Sequence, residues 1–490
     1  MHCAWRVLFE SCVLFAELDF AAQLRLAAVS CEARSLYAIA WPRMWRARRD
    51  VLDYPQLLRI FFFAVDAGAH AHMRALLQSL TEQQKTALRR RLYGRSLLHI
   101  AVHRLVHEQR VRCETSPELV TARALLQAVG PALAYVRIRD RQNRRRDESS
   151  ALHIAAQGRC VLTVRMLLDA GGSALLRQRN SDDETVLHVG AQEGSTAVLR
   201  ILVDAGGAPL VLAVDLSGNT VLHLAAVWGR LVLVDYLLEV GGTELLLMKN
   251  DLGETCLFLA AKFGHVAVAK SLAAAGGREL ALETNNLGSS CLHVSVQAKD
   301  LDIALVLLNA AGRELALLQQ EDGSSCMHLA ALTGRVSMVT LLMRAGGREL
   351  LMLCKQNGAS CLHLAAQRGH TDVVKMFVEC GGEPLLSKCD AWGRGCLWLA
   401  AKHGHSQVVR ALIDAGGRKL LLSAADNGRT CLWASAVQGH RRTVELLLAE
   451  GGRELLALSD AVGQPLASVC EHGGHADVAA LLRQAEVSVQ

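Results

Sequence analysis

The dipeptide Leu-His at 362–363 returns every 35 residues. The same step gives Leu152-His153, Leu187-His188, Leu222-His223, Leu257-Phe258, Leu292-His293, Met327-His328, Leu397-Trp398 and Leu432-Trp433, and the single Leu-to-Met change stays apolar. A turn glycine keeps the step from Gly218 to Gly463. A Gly-Gly pair keeps it from Gly171-Gly172 to Gly451-Gly452, broken only at Ala311-Gly312. So strict a period restricts the chain to architectures in which each unit packs on its neighbours, because one short supersecondary element cannot bury its apolar face alone.

The unit at 358–393 can be read residue by residue. Ser360 precedes an apolar run, where its hydroxyl can cap a helix, and Thr220, Thr255 and Thr430 hold the same place. Cys361-Leu362-His363-Leu364-Ala365-Ala366 predicts a short first helix whose alanines allow close approach to a neighbour, and Gly369 ends it. Thr371 opens a second helix with Val373, Val374, Met376 and Phe377 on one face. Gly381-Gly382 stops that helix, Glu383-Pro384-Leu385-Leu386 leads out as an extended segment, and Asp390-Ala391-Trp392-Gly393 turns into the next unit.

This pattern, a turn, then Gly-x-Thr-x-Leu-His-x-Ala-Ala, Gly-His and a Val/Leu-rich second helix, resembles the ankyrin repeat over residues 94–482. It departs in period, 35 against the usual 33, and the extra pair is placed in the Gly-Gly-Arg-Glu-Leu-Leu segment. The resemblance implies an all-α solenoid of about eleven helix-turn-helix repeats with short hairpin-like turns, behind a small helical N-terminal region. The ends are irregular. Leu98 and Leu152 are 54 residues apart, so 19 are inserted, around 104–118 and in the charged stretch 140–149. Residues 51–93 are expected to form a degenerate cap, 1–50 a separate helical region and 483–490 a tail.

Six of the 15 cysteines (Cys256, Cys291, Cys326, Cys361, Cys396, Cys431) share one repeat position. Stacked helices stand about 8–10 Å apart, beyond the roughly 7 Å that a disulfide spans between Cα atoms. No Cys-x-x-Cys occurs, so packing is the expected role and neither metal nor cofactor is expected. Seven of the 19 histidines hold the Leu/Met-His position and five (His265, His370, His405, His440, His475) a Gly-His position. Spread one per repeat, they offer no nucleophile–base pair. The ankyrin resemblance implies that they brace adjacent turns. No phosphate-cradling glycine loop is present, and no enzymatic activity or small-molecule substrate is expected.

The resemblance further implies a protein partner held on a concave face of turn tips and first helices, at positions that differ between repeats. The large residues there are Trp228, Phe263, Leu332, Arg368, Lys402 and His403 after Ala-Ala, and Leu252, Leu287 and Trp392 in the turns. Trp228 and Phe263 could equally fold back onto the next repeat, and Trp398 and Trp433, replacing the usual His, are expected to fill space.

Charge divides unevenly: residues 1–150 carry 24 Lys+Arg against 14 Asp+Glu, the remainder 29 against 33. Basic runs such as Arg89-Arg90-Arg91 and Arg144-Arg145-Arg146 keep nucleic-acid binding open as one alternative. Another comes from residues 5–45, where Phe20, Leu24, Val29 and Cys31 resemble an F-box without its opening Leu-Pro. That resemblance implies docking on the adaptor of a cullin-type ubiquitin ligase. Arg6, Glu10 and Glu17 interrupt the apolar start, which argues against a signal peptide, and no apolar run is long enough to span a bilayer. A cytoplasmic location is expected, and the basic runs would also serve nuclear import.

Overall fold

The structure, a computed structural model, describes residues 98, 102, 117–129, 134–135, 149–460 and 465–487. Among these residues the chain is all-α, with ten helix pairs from Ala151–Gln157 and Val161–Gly171 to Leu466–His472 and Ala476–Val487, preceded by the helix Pro117–Val129. The only β features among them are isolated antiparallel bridges at the turns, such as Cys354 with Ser360 and Cys389 with Gly395. The chain divides between Leu245 and Leu246 into two compact units. Residues 1–50 and 51–93, with the expected cap and F-box-like segment, and nearly all of the stretches assigned to the insertion lie outside the described residues.

Inside each unit the same residues recur in the core. In the pair Cys361–Arg368 and Thr371–Leu386, the first helix buries Cys361, Leu362, His363, Ala365 and Ala366, and the second buries Val373, Val374 and Phe377. The alanines let first helices of successive repeats lie side by side, and each fully buried Leu or Phe contributes about 1.5–3 kcal/mol.

The segment after Gly-Gly is not extended as its sequence predicts. Gly382 leaves helical geometry at φ 61° and ψ −159°, and residues after it form another helical turn before Ser387. That turn buries Leu385 and Leu386. Pro384 is tolerated because it sits in the first turn after the break, where a missing N–H removes no bond; Pro209 holds the same place in Ala208–Val211. The 35-residue unit is thus two helices and an added helical turn.

Candidate functional site

Two ladders of side chains lock the repeats in register. The Ser360 N–H donates to His363 Nδ1 at 3.1 Å, and the Ser360 hydroxyl lies 2.7 Å from the same nitrogen. Nδ1 therefore accepts, and the proton sits on Nε2, which donates to the Arg394 carbonyl of the next turn at 3.1 Å. His153, His188, His293 and His328 repeat the arrangement, reaching Glu184, Asn219, Ser324 and Ala359 at 3.0–3.2 Å. Burial lowers His188, His293, His328 and His363 below the ordinary imidazole value, His293 and His328 to about 4. Where the histidine is replaced, the cap changes: Thr255 accepts directly from the Phe258 N–H and Thr430 from the Trp433 N–H.

The Gly-His histidines reach the other way. His370, His405 and His440 donate from Nε2 to the carbonyls of Leu332, Gln367 and Lys402 of the preceding repeat, at 2.9–3.1 Å. Arg230, at an equivalent position, makes the same backward bond to Gln192, and Arg335 reaches back to Lys299, two residues further along.

The six ladder cysteines are buried free thiols. Five donate weakly to a carbonyl ten residues back, as Cys361 does to Leu351 at 3.4 Å. Burial pushes Cys256, Cys291, Cys361, Cys396 and Cys431 up to about 12, far from a reactive thiolate. Among the described residues no three His, Cys, Asp or Glu side chains converge to hold a metal ion, and no helix is long and apolar enough to cross a membrane.

The side chains that vary between repeats lie outside this lattice. Leu252, Leu287 and Trp392 project from turn tips that bond to one another through the backbone: Asn286 N–H to Leu252 O at 3.0 Å, Glu321 to Leu287 at 3.2 Å, Asp426 to Trp392 at 3.2 Å. They are 60%, 64% and 54% exposed, and at the ends of first helices Trp228 is 54% and Phe263 51% exposed. Neither Trp228 nor Phe263 folds back into a core. Arg368 and His403 are exposed, while Leu332 and Lys402 are half-buried. Burial and the neighbouring Lys402 charge hold His403 below the ordinary imidazole value. Phe20, Leu24 and Val29 lie outside the described residues.

Two residues that sequence reasoning missed organise the tryptophans. The Arg394 guanidinium lies 4.3 Å from the Trp392 ring and 5.3 Å from Trp398, and Arg429 lies 3.8 Å from Trp433. Trp398 and Trp433 are half-buried under these cations, and Lys402 also faces Trp398, at 5.5 Å. A signal was present: arginine follows the turn glycine in the two repeats where Trp replaces His, whereas Glu254, Ser289, Ser324 and Ala359 stand there in the four preceding repeats.

With this geometry in hand, comparison with known families is specific. A family model of ankyrin repeats matches residues 121–210, 173–248, 292–388 and 383–457. No curated protein matches the chain.

Proposed function

Because the chain belongs to the ankyrin-repeat family, whose repeats are protein–protein interaction modules, we propose that it acts as a non-enzymatic scaffold holding a protein partner on its turn tips and first helices. The observation that carries this is the contrast between a recurrent, hydrogen-bonded lattice and the exposed large apolar residues Leu252, Phe263 and Leu287 beside it. Scattered surface leucines are ordinary, but successive turn tips joined by backbone bonds present Leu252 and Leu287 as neighbours. Aromatic and aliphatic anchors of this kind dominate interface energies.

The test is capture from a cell lysate with the full chain as bait, read by mass spectrometry. The expected result is a defined set of proteins that the triple variant Leu252→Ser, Phe263→Ser, Leu287→Ser loses while its thermal unfolding is unchanged. An identical set from both baits would overturn this surface. The same experiment decides the ubiquitin-ligase alternative, which predicts adaptor and cullin peptides that disappear with Leu24→Asp or Val29→Asp.

A further inference from the structure

Position by position, the repeats of Trp398 and Trp433 reverse an electrostatic pattern set elsewhere. After Ala-Ala, Lys262 pairs with Glu254 at 2.8 Å, which neutralises that end of its first helix. One hundred and forty residues on, the partners of the equivalent positions are Lys402 and Arg394, both basic. Arg429 follows in the next repeat, and Arg368 precedes them on the exposed end of its helix. Two carboxylates are close: Asp390, buried and paired with Arg394 at 2.6 Å, and Asp426, on the following turn. Lys402, Arg429 and Arg368 have no acidic partner among the described residues.

We propose that this surface, built from Trp392, Arg394, Trp398, Lys402, Arg429 and Trp433, binds an acidic peptide segment of the partner, its carboxylates on the cations and an apolar side chain beside the exposed Trp392. The proposal rests on the scaffold function above and names the chemistry of what part of that scaffold holds. Stacking on Trp433 leaves the in-plane N–H groups of Arg429 free, a fork that matches a carboxylate, whereas Arg394 spends Nε and Nη2 on Asp390 and serves to hold the indoles beside it. The ring also fixes the cation in place before binding, which lowers the entropy of ordering it. Such a stack favours discrete carboxylates over a nucleic-acid strand, since one face of each indole is already taken by a cation. The rest of the unit points the same way. Residues 246–490 carry 23 Lys+Arg and 23 Asp+Glu, so no extended positive field follows a polyanion along its length.

The test is fluorescence anisotropy on the full chain with three labelled probes: an Asp/Glu-rich peptide with a central Leu, its Lys-rich counterpart and an oligouridylate of equal charge. The acidic peptide is expected to bind at low salt, to weaken as salt is raised and to weaken about tenfold or more in Arg429→Glu and in Lys402→Glu. Lys262→Ala, outside the cluster, should leave binding unchanged. Circular dichroism melts establish that each variant is folded. The assignment fails if the acidic peptide does not bind, if both charge reversals bind it like the unaltered chain, or if the oligouridylate binds as tightly. Both reversals also serve as baits in the lysate capture. Proteins still captured by the unaltered chain when the peptide fails would sink the acidic-segment assignment and leave the scaffold function standing. Empty captures from every bait, whatever the peptide does, would count against the scaffold function instead.

Discussion

A proton added to His363 has no good place to go. Nδ1 already accepts from the Ser360 N–H and Nε2 already donates to Arg394, so protonation turns an acceptor toward a donor inside the stack. His293 and His328 stand alike, with folded values near 4 against an ordinary value of 6.5. A depressed value means that the stabilisation is complete above about 6.5, shrinks as pH falls and is gone below about 4. The size is on the order of 3 kcal/mol per histidine. Urea unfolding at stepped pH should therefore show stability falling between pH 6.5 and 4. His293→Phe with His328→Phe, following the arrangement at Phe258, should flatten that fall while lowering stability near neutrality. An unchanged acid branch would show that these imidazoles do not carry it. The caps were legible because they repeat in register, and the bracing because the repeat resembles the ankyrin unit. The stacking of Arg394 and Arg429 was not, since it depends on how a turn places a side chain over a ring four residues away in sequence.

At the scale of the element, the helical turn after Gly382 is the part that the sequence concealed. A Gly-Gly pair followed by Glu-Pro reads locally as a stop and an extended exit. What makes it helical is tertiary: Leu385 and Leu386 find a buried site, and a Cβ on Gly381 would come within 2.5 Å of Leu385. Leu385→Ala should lower stability by about 2–5 kcal/mol, the range for a buried leucine. An exposed linker would change by only about 0.5 kcal/mol, so the shift in urea midpoint separates the two. Gly382→Ala should lower it by about 1–3 kcal/mol, because φ 61° with ψ −159° is a region that side chains avoid. The exposed Arg278–Glu314, Arg313–Glu349 and Arg418–Glu454 pairs beside these turns contribute little by comparison.

For the whole molecule, the cysteine positions offer a gauge of opening. Solenoids gain stability from nearest neighbours, so terminal repeats have one interface where inner repeats have two. Timed alkylation under native conditions, mapped by mass spectrometry, should label exposed Cys380 and Cys389 first. Cys470, in the last helix pair among the described residues, should follow, and inner Cys326 and Cys361 should react last. Labelling of Cys326 ahead of Cys470 would contradict a stack that frays from its end.

The paired reach of the repeats, one side chain forward and one back, also bears on how such a gene can change. Most incoming joints are alike and so are most outgoing ones. Unequal recombination that removes a block of 35 codons leaves two ends already shaped to join, whereas a block one codon short leaves the imidazole at the scar out of step with its carbonyl. The length of this array is free to drift in whole units, and its reading frame of folding is not.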